Sequence, residues 1–134
     1  MSRGRRVLVA TDHHHCPTVA LEHAAALAGS RGEVVLAAIL VVPLAQPIEA
    51  SLDRAVAGAC EVLDRAEREV EGAFDTRVIR VRSFAEGVLE LLAREPFDLL
   101  VLESRRGGVP GDGHHAQIEA VLDRAPVTVA VVRP

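Results

Sequence analysis

The feature that most constrains this chain is a set of strand-length segments that are apolar almost throughout. They lie at Val7–Ala10 (VLVA), Val34–Val42 (VVLAAILVV), Leu99–Leu102 (LLVL) and Val127–Val132 (VTVAVV). A strand with one wet face alternates polar with apolar residues, whereas an unbroken apolar run is covered on both faces, as in a parallel sheet between two helical layers. A fifth segment, Thr76–Arg82 (TRVIRVR), does alternate and reads as a half-exposed edge strand. Its Arg80 and Arg82 are expected on the solvated face.

The intervals between these runs carry helical periodicity. Pro17–Ala28 places proline at a first helical position and ends near Gly29. Glu49–Val70 sets Leu52, Val56, Ala59, Cys60, Leu63, Ala66 and Val70 on one stripe, which predicts a core thiol at Cys60. Ser83-Phe84-Ala85-Glu86 has capping-box spacing ahead of Val88, Leu89, Leu91 and Leu92. Ala116–Arg124 forms the last helix, and Pro126 stops it. Strand and helix therefore alternate with short connections along residues 1–134. The expectation is one α/β domain, three-layer α/β/α, with a five-stranded parallel sheet in the order 3-2-1-4-5 and four main helices. In that order the fifth strand is an edge, yet VTVAVV carries no edge charge before Arg133. A second copy of the chain is the simplest cover for it, so a homodimer through Val127–Val132 is expected.

Composition narrows the function. Net charge is −4, all fifteen basic residues are arginine, and the aromatic residues are three phenylalanines. A basic face with aromatic stacking platforms is missing, which argues against nucleic acid as a partner. Lysine-dependent phosphate loops, kinases and Schiff-base enzymes are excluded, and no GxSxG, HExxH or CxxC occurs. The longest apolar run, Val34–Pro43, is too short to span a bilayer, so no membrane partner is expected. Two cysteines give no disulfide framework, and the default location is the cytoplasm.

In open α/β sheets ligands bind outside the strand carboxyl ends where the strand order reverses, here between the first and fourth strands. That crevice would be walled by Asp12–Cys16 (DHHHC) and by Glu103–His115 (ESRRGGVPGDGHH). Five of the six histidines, His13, His14, His15, His114 and His115, fall in these two loops. They suit a divalent transition metal by ligand type, but successive residues of a short loop point apart, and no i,i+4 pair occurs among them. The competing readings are a solvated polar loop and a single histidine donating to a bound phosphate. Cys16 lies beside a helix N-terminus, as either a plain loop cysteine or a thiol of lowered pKa.

The chain resembles the universal stress protein family of small adenine-nucleotide-binding α/β domains. The resemblance is carried by VLVATD, ALEHAAALA, LAAILVVP, AEGVLELL, FDLLVLESRRGG and the ending VLDRAPVTVAVVRP, in order and at the right spacing. It implies that Asp12 faces a nucleoside, that Leu40 lies against adenine, and that an adenine nucleotide with Mg²⁺ is a conceivable cofactor. The family's phosphate loop, G-x2-G-x9-G-[S/T], would run from Glu103 through Ser104, Arg105, Arg106, Gly108, Gly111 and Gly113 to His115 and Ala116. This chain departs from it: Glu103 and Arg106 stand at the first two glycine positions, and His115-Ala116 where Gly-Ser or Gly-Thr would open the last helix. Gly108-x2-Gly111 echoes half the motif, shifted along the chain.

The sequence thus supports a dimeric binding or regulatory domain in stress response, without ATP hydrolysis and with weak or absent ATP binding of the usual kind. The alternative is a nucleotide-binding or metal-dependent nucleotide hydrolase that uses Asp12 and the histidine-rich cleft. A third reading is a partner domain whose cleft is empty.

Overall fold

The computed structural model describes residues 4–12, 15–47, 52–104 and 114–133, with His114 described by its backbone alone. The strands are β1 (Arg6–Asp12), β2 (Glu33–Val41), β3 (Asp75–Val81), β4 (Leu99–Glu103) and β5 (Thr128–Val132). The helices are α1 (Thr18–Ala28), α2 (Asp53–Glu69), α3 (Phe84–Arg94) and α4 (His114–Arg124). All four strand pairings are parallel, and the sheet order is β3-β2-β1-β4-β5. No described helix is long and apolar enough to cross a membrane.

The unbroken apolar runs become central strands because alternate residues feed opposite layers. Leu8, Ala10, Val35, Ala37, Ile39, Leu100 and Leu102 pack with Val88, Leu91 and Leu92 of α3 and with Ile118 and Val121 of α4. Val7, Val9, Val34, Leu36 and Val101 face the other way, onto Ala20, Leu21, Ala24 and Ala28 of α1 and Ala66 of α2. Both faces are dry along the middle of these strands, so polar residues enter the central strands only near their ends. The edge strands differ: Val78 of β3 is 46% exposed and Val131 of β5 is 42% exposed. Helix α3 starts as its capping box requires, with the Glu86 amide donating to Ser83 Oγ at 3.2 Å.

Three local expectations are corrected. Cys60 is exposed rather than in the core. At about 100° per residue it stands roughly a third of a turn off the axis of the buried stripe, which runs through Ala59, Val62 and Ala66. Arg82 is half-buried, not solvated: its Nη1 donates to the carbonyls of Pro43 and Gln46 at 2.6 and 2.7 Å, and so ties the segment after β2 to the end of β3. Helix α4 begins at His114, two residues before Ala116, since neither His114 nor His115 is a helix breaker.

The amino ends of the strands are tied by charge. Arg6 Nη2 donates to Glu95 Oε1 at 2.7 Å, Arg77 Nη2 to the same oxygen at 3.1 Å, and the Arg6 guanidinium lies 4.5 Å from the centre of the Phe97 ring. Hydrogen bonds from Arg6 and then Arg77 hold the Glu95 carboxyl below the usual carboxylate value. A depressed folded pKa means that the native state binds fewer protons. The stabilisation is therefore full above the unfolded pKa and is lost as pH falls through the folded one. We expect Glu95→Gln to cost about 1 kcal/mol at pH 7 and almost nothing at pH 3. Urea melts at the two pH values check this, and a pH-independent difference would contradict it.

Candidate functional site

The candidate site is built at the carboxyl ends of β1 and β4, the two neighbours at which the strand order reverses. Their register, Ala10 opposite Leu102, sets Thr11 beside Glu103 at the top of the sheet. Among the described residues these are the two buried polar side chains, 5% and 6% exposed. A buried carboxylate is costly unless its lone pairs are taken up. Here both oxygens are engaged. His15 Nε2 donates to Glu103 Oε1 at 2.6 Å, and the Ala20 backbone amide donates to Glu103 Oε2 at 3.0 Å. Thr11 Oγ1 donates to the His15 carbonyl at 2.7 Å, which fixes the backbone that carries the imidazole.

The start of α1 explains why Glu103 is placed there. Pro17 occupies the N-cap position and makes no side-chain cap, although Ser, Thr, Asp or Asn would normally accept from the second or third helical amide. Ala20 is that third helical residue, and Glu103, 83 residues away, supplies the acceptor instead. Its negative charge also sits at the positive end of the α1 dipole. Glu103 is thus a long-range cap delivered by the sheet.

Around this pair lies a cleft lined by Ala10, Thr11, Asp12, His15, Phe84, Leu102, Glu103 and Ile118. Phe84, from the first turn of α3, and Ile118, from the second turn of α4, form the apolar wall. The cavity between these side chains is about 20 Å³, room for about one water molecule. Residues 13–14 and 105–113 lie outside the described residues.

Of the residues singled out in the sequence, the structure brings Asp12, His15 and Glu103 together. Leu40 lies elsewhere: it is fully buried, packed with Ala38 and with Ala59 of α2, and does not line the cleft. The Ser104 amide donates to the Val132 carbonyl at 2.8 Å, so its backbone continues the β4–β5 ladder. His115 and Ala116 are exposed in the first turn of α4. His13, His14, Arg105, Arg106, Gly108, Gly111 and Gly113 lie outside the described residues. Cys16 is half-buried, with Sγ 3.6 Å from Thr18 Oγ1. Among the described residues no three His, Cys, Asp or Glu side chains are grouped to hold one metal ion. The capping role of Glu103 escaped sequence reasoning. The readable clue was a helix opening with Cys-Pro-Thr, which leaves an early amide without a local acceptor.

A doubly wound parallel sheet with a polar-lined cavity at its switch point defines a class of small α/β domains. Within that class the assignment is specific: the universal stress protein family model matches residues 4–133, and the chain belongs to that family. Among solved structures it is similar to universal stress protein UspA from Lactobacillus plantarum, with a TM-score of 0.73, 17% identity, and 99% of this chain and 100% of that one covered. It is similar as well to a universal stress protein solved in complex with cAMP (TM-score 0.66, 19% identity, 98% of each chain covered). A Mycobacterium tuberculosis H37Rv protein gives a TM-score of 0.54 at 21% identity, over 100% of this chain and 98% of that one. At these identities the likeness is one of fold. No curated protein matches the chain by sequence.

Proposed function

We propose that the chain is a dimeric binding and regulatory module in stress response. Its β1/β4 crevice accepts a small ligand of the nucleotide class, binds ATP weakly or not at all, and does not hydrolyse it. The observation that carries this reading is the Glu103 carboxylate, held at the crevice floor by His15 and the Ala20 amide. It stands where the phosphate loop of the family begins with glycine. At an effective dielectric constant of about 20, a phosphate charge about 6 Å away is repelled by about 3 kcal/mol. The family relative in complex with cAMP supports a nucleotide-class ligand. The half-exposed apolar edge of β5, with Val131 42% exposed, supports pairing of two copies through Val127–Val132.

Two measurements test it. Millimolar ATP with Mg²⁺ should raise the melting temperature by no more than about 1 °C, because ligand below its Kd stabilises little. A rise of several degrees, or phosphate release above background, would replace this reading with that of an ATP-binding protein or a hydrolase. Light scattering at micromolar concentration should give twice the 14.3 kDa chain mass, and a monomer would remove the dimer from the proposal.

A further inference from the structure

We infer that the end of β4 and the start of α4 clamp the amino ends of α1 and α3, so that a shift of α4 loosens both helix starts together. Glu103 is one jaw of this clamp and Gln117 is the other. The device belongs to the fold and does not depend on which molecule the protein binds.

A helix start leaves its first amides without partners inside the helix. In α3, Ser83 Oγ accepts from the Glu86 amide, and one hydroxyl cannot serve the whole first turn. The Ala85 amide donates instead to Gln117 Oε1 at 2.9 Å, 32 residues further along the chain. In α1 the Ala20 amide donates to Glu103 Oε2 at 3.0 Å, across 83 residues. The two acceptors flank one stretch of sequence, residues 104–116: Glu103 closes β4, and Gln117 lies in the first turn of α4. The helices that they hold lie on opposite faces of the sheet, α1 in one layer and α3 beside α4 in the other.

Two such hydrogen bonds would act independently if nothing joined them. Packing joins them here. Phe84, next to Ala85, and Ile118, next to Gln117, line the same small cavity as Glu103. At about 20 Å³ it leaves little slack among these side chains. A displacement of α4 therefore draws Gln117 from the Ala85 amide and lifts Ile118 from beside the Glu103 carboxylate in one movement. Water then reaches Glu103, whose side chain is otherwise 3% exposed, and competes for its bond to the Ala20 amide. Whatever shifts α4 is reported in this way at α1, through the sheet.

A double-mutant cycle on the full chain tests this, with Glu103→Gln, Gln117→Met and the pair compared by urea denaturation. Methionine keeps the length of glutamine and loses the acceptor. Each single substitution should lower the folding equilibrium constant about fivefold. Independent caps then predict a loss of about 25-fold for the pair, whereas the clamp predicts about tenfold or less, because losing one jaw already slackens the other. A double loss within about twofold of the measured product, or larger than it, would overturn the inference. If the double variant does not fold, amide exchange of the wild-type chain in rising urea decides. Ala20 and Ala85 should share one opening, with a denaturant slope smaller than that of the buried Val9 amide in β1. Different slopes for the two amides, or the Val9 slope for either, would overturn it as well.

Discussion

Glu103→Ala is expected to destabilise the fold by about 3 kcal/mol and to lower its melting temperature by roughly 10 °C. The substitution removes the acceptor of the Ala20 amide, which then stays buried beside an uncapped helix start. It also removes the partner of the His15 ring. Hydrogen bonds to a charged group contribute about 1.5–3 kcal/mol each, and an N-cap loss alone costs about 1 kcal/mol. Glu103→Gln should cost only about 1 kcal/mol, since it keeps the shape and one acceptor. Urea denaturation of the two variants distinguishes them, and hydrogen exchange should show the loss of protection concentrated in α1. If Glu103→Ala melts within about 0.5 kcal/mol of the wild type, the carboxylate is no cap and the account of the crevice floor fails.

Gly32→Ala should have an effect of similar or greater size at the other pole of the sheet. The segment between α1 and β2 lies against the entry to β1: Glu33 donates to the Arg5 carbonyl at 3.0 Å, and Arg5 donates to the Ala28 carbonyl at 3.3 Å. A methyl group on Gly32 would lie 2.1 Å from the Ala28 oxygen and 2.5 Å from the Arg5 oxygen. These are backbone atoms and cannot rotate aside, so the turn must open and those hydrogen bonds must stretch. We expect a loss of about 3 kcal/mol or more, with an unchanged denaturant slope. A wild-type midpoint for Gly32→Ala would show that this turn is far more compliant than its packing implies. Gly87 makes a useful comparison. A methyl there would meet side-chain carbons of Val81 and Ile39 at 2.9 and 3.0 Å, and side chains can yield where backbone cannot.

The architecture was legible in the sequence to the level of strand order, and the reasons are local. Two-sided burial writes an apolar residue at every buried position of β1, β2 and β4 except Thr11 and Glu103 at their carboxyl ends, and exposure writes alternation into TRVIRVR. The Ser83 cap was legible too, because its donor is only three residues away. Misreadings came where one residue's fate depended on a small rotation or a distant acceptor. Cys60 fits a stripe drawn through Leu52 and Val56, yet the packed axis passes through Ala59 and Val62 and turns the thiol outward. Arg82 reads as one more solvated charge of an edge strand until the carbonyls of Pro43 and Gln46 are brought beside it.

What the sequence alone determined is the list of elements, their order and the faces they bury, since hydrophobic periodicity is a property of near neighbours. What only the tertiary structure decided is the polar chemistry. His15 meets Glu103 across 88 positions, and Glu103 caps α1 across 83. No local pattern encodes such pairings, because burial is a preference each side chain has for itself. A hydrogen bond needs two particular atoms about 3 Å apart, and only the closed sheet brings them there.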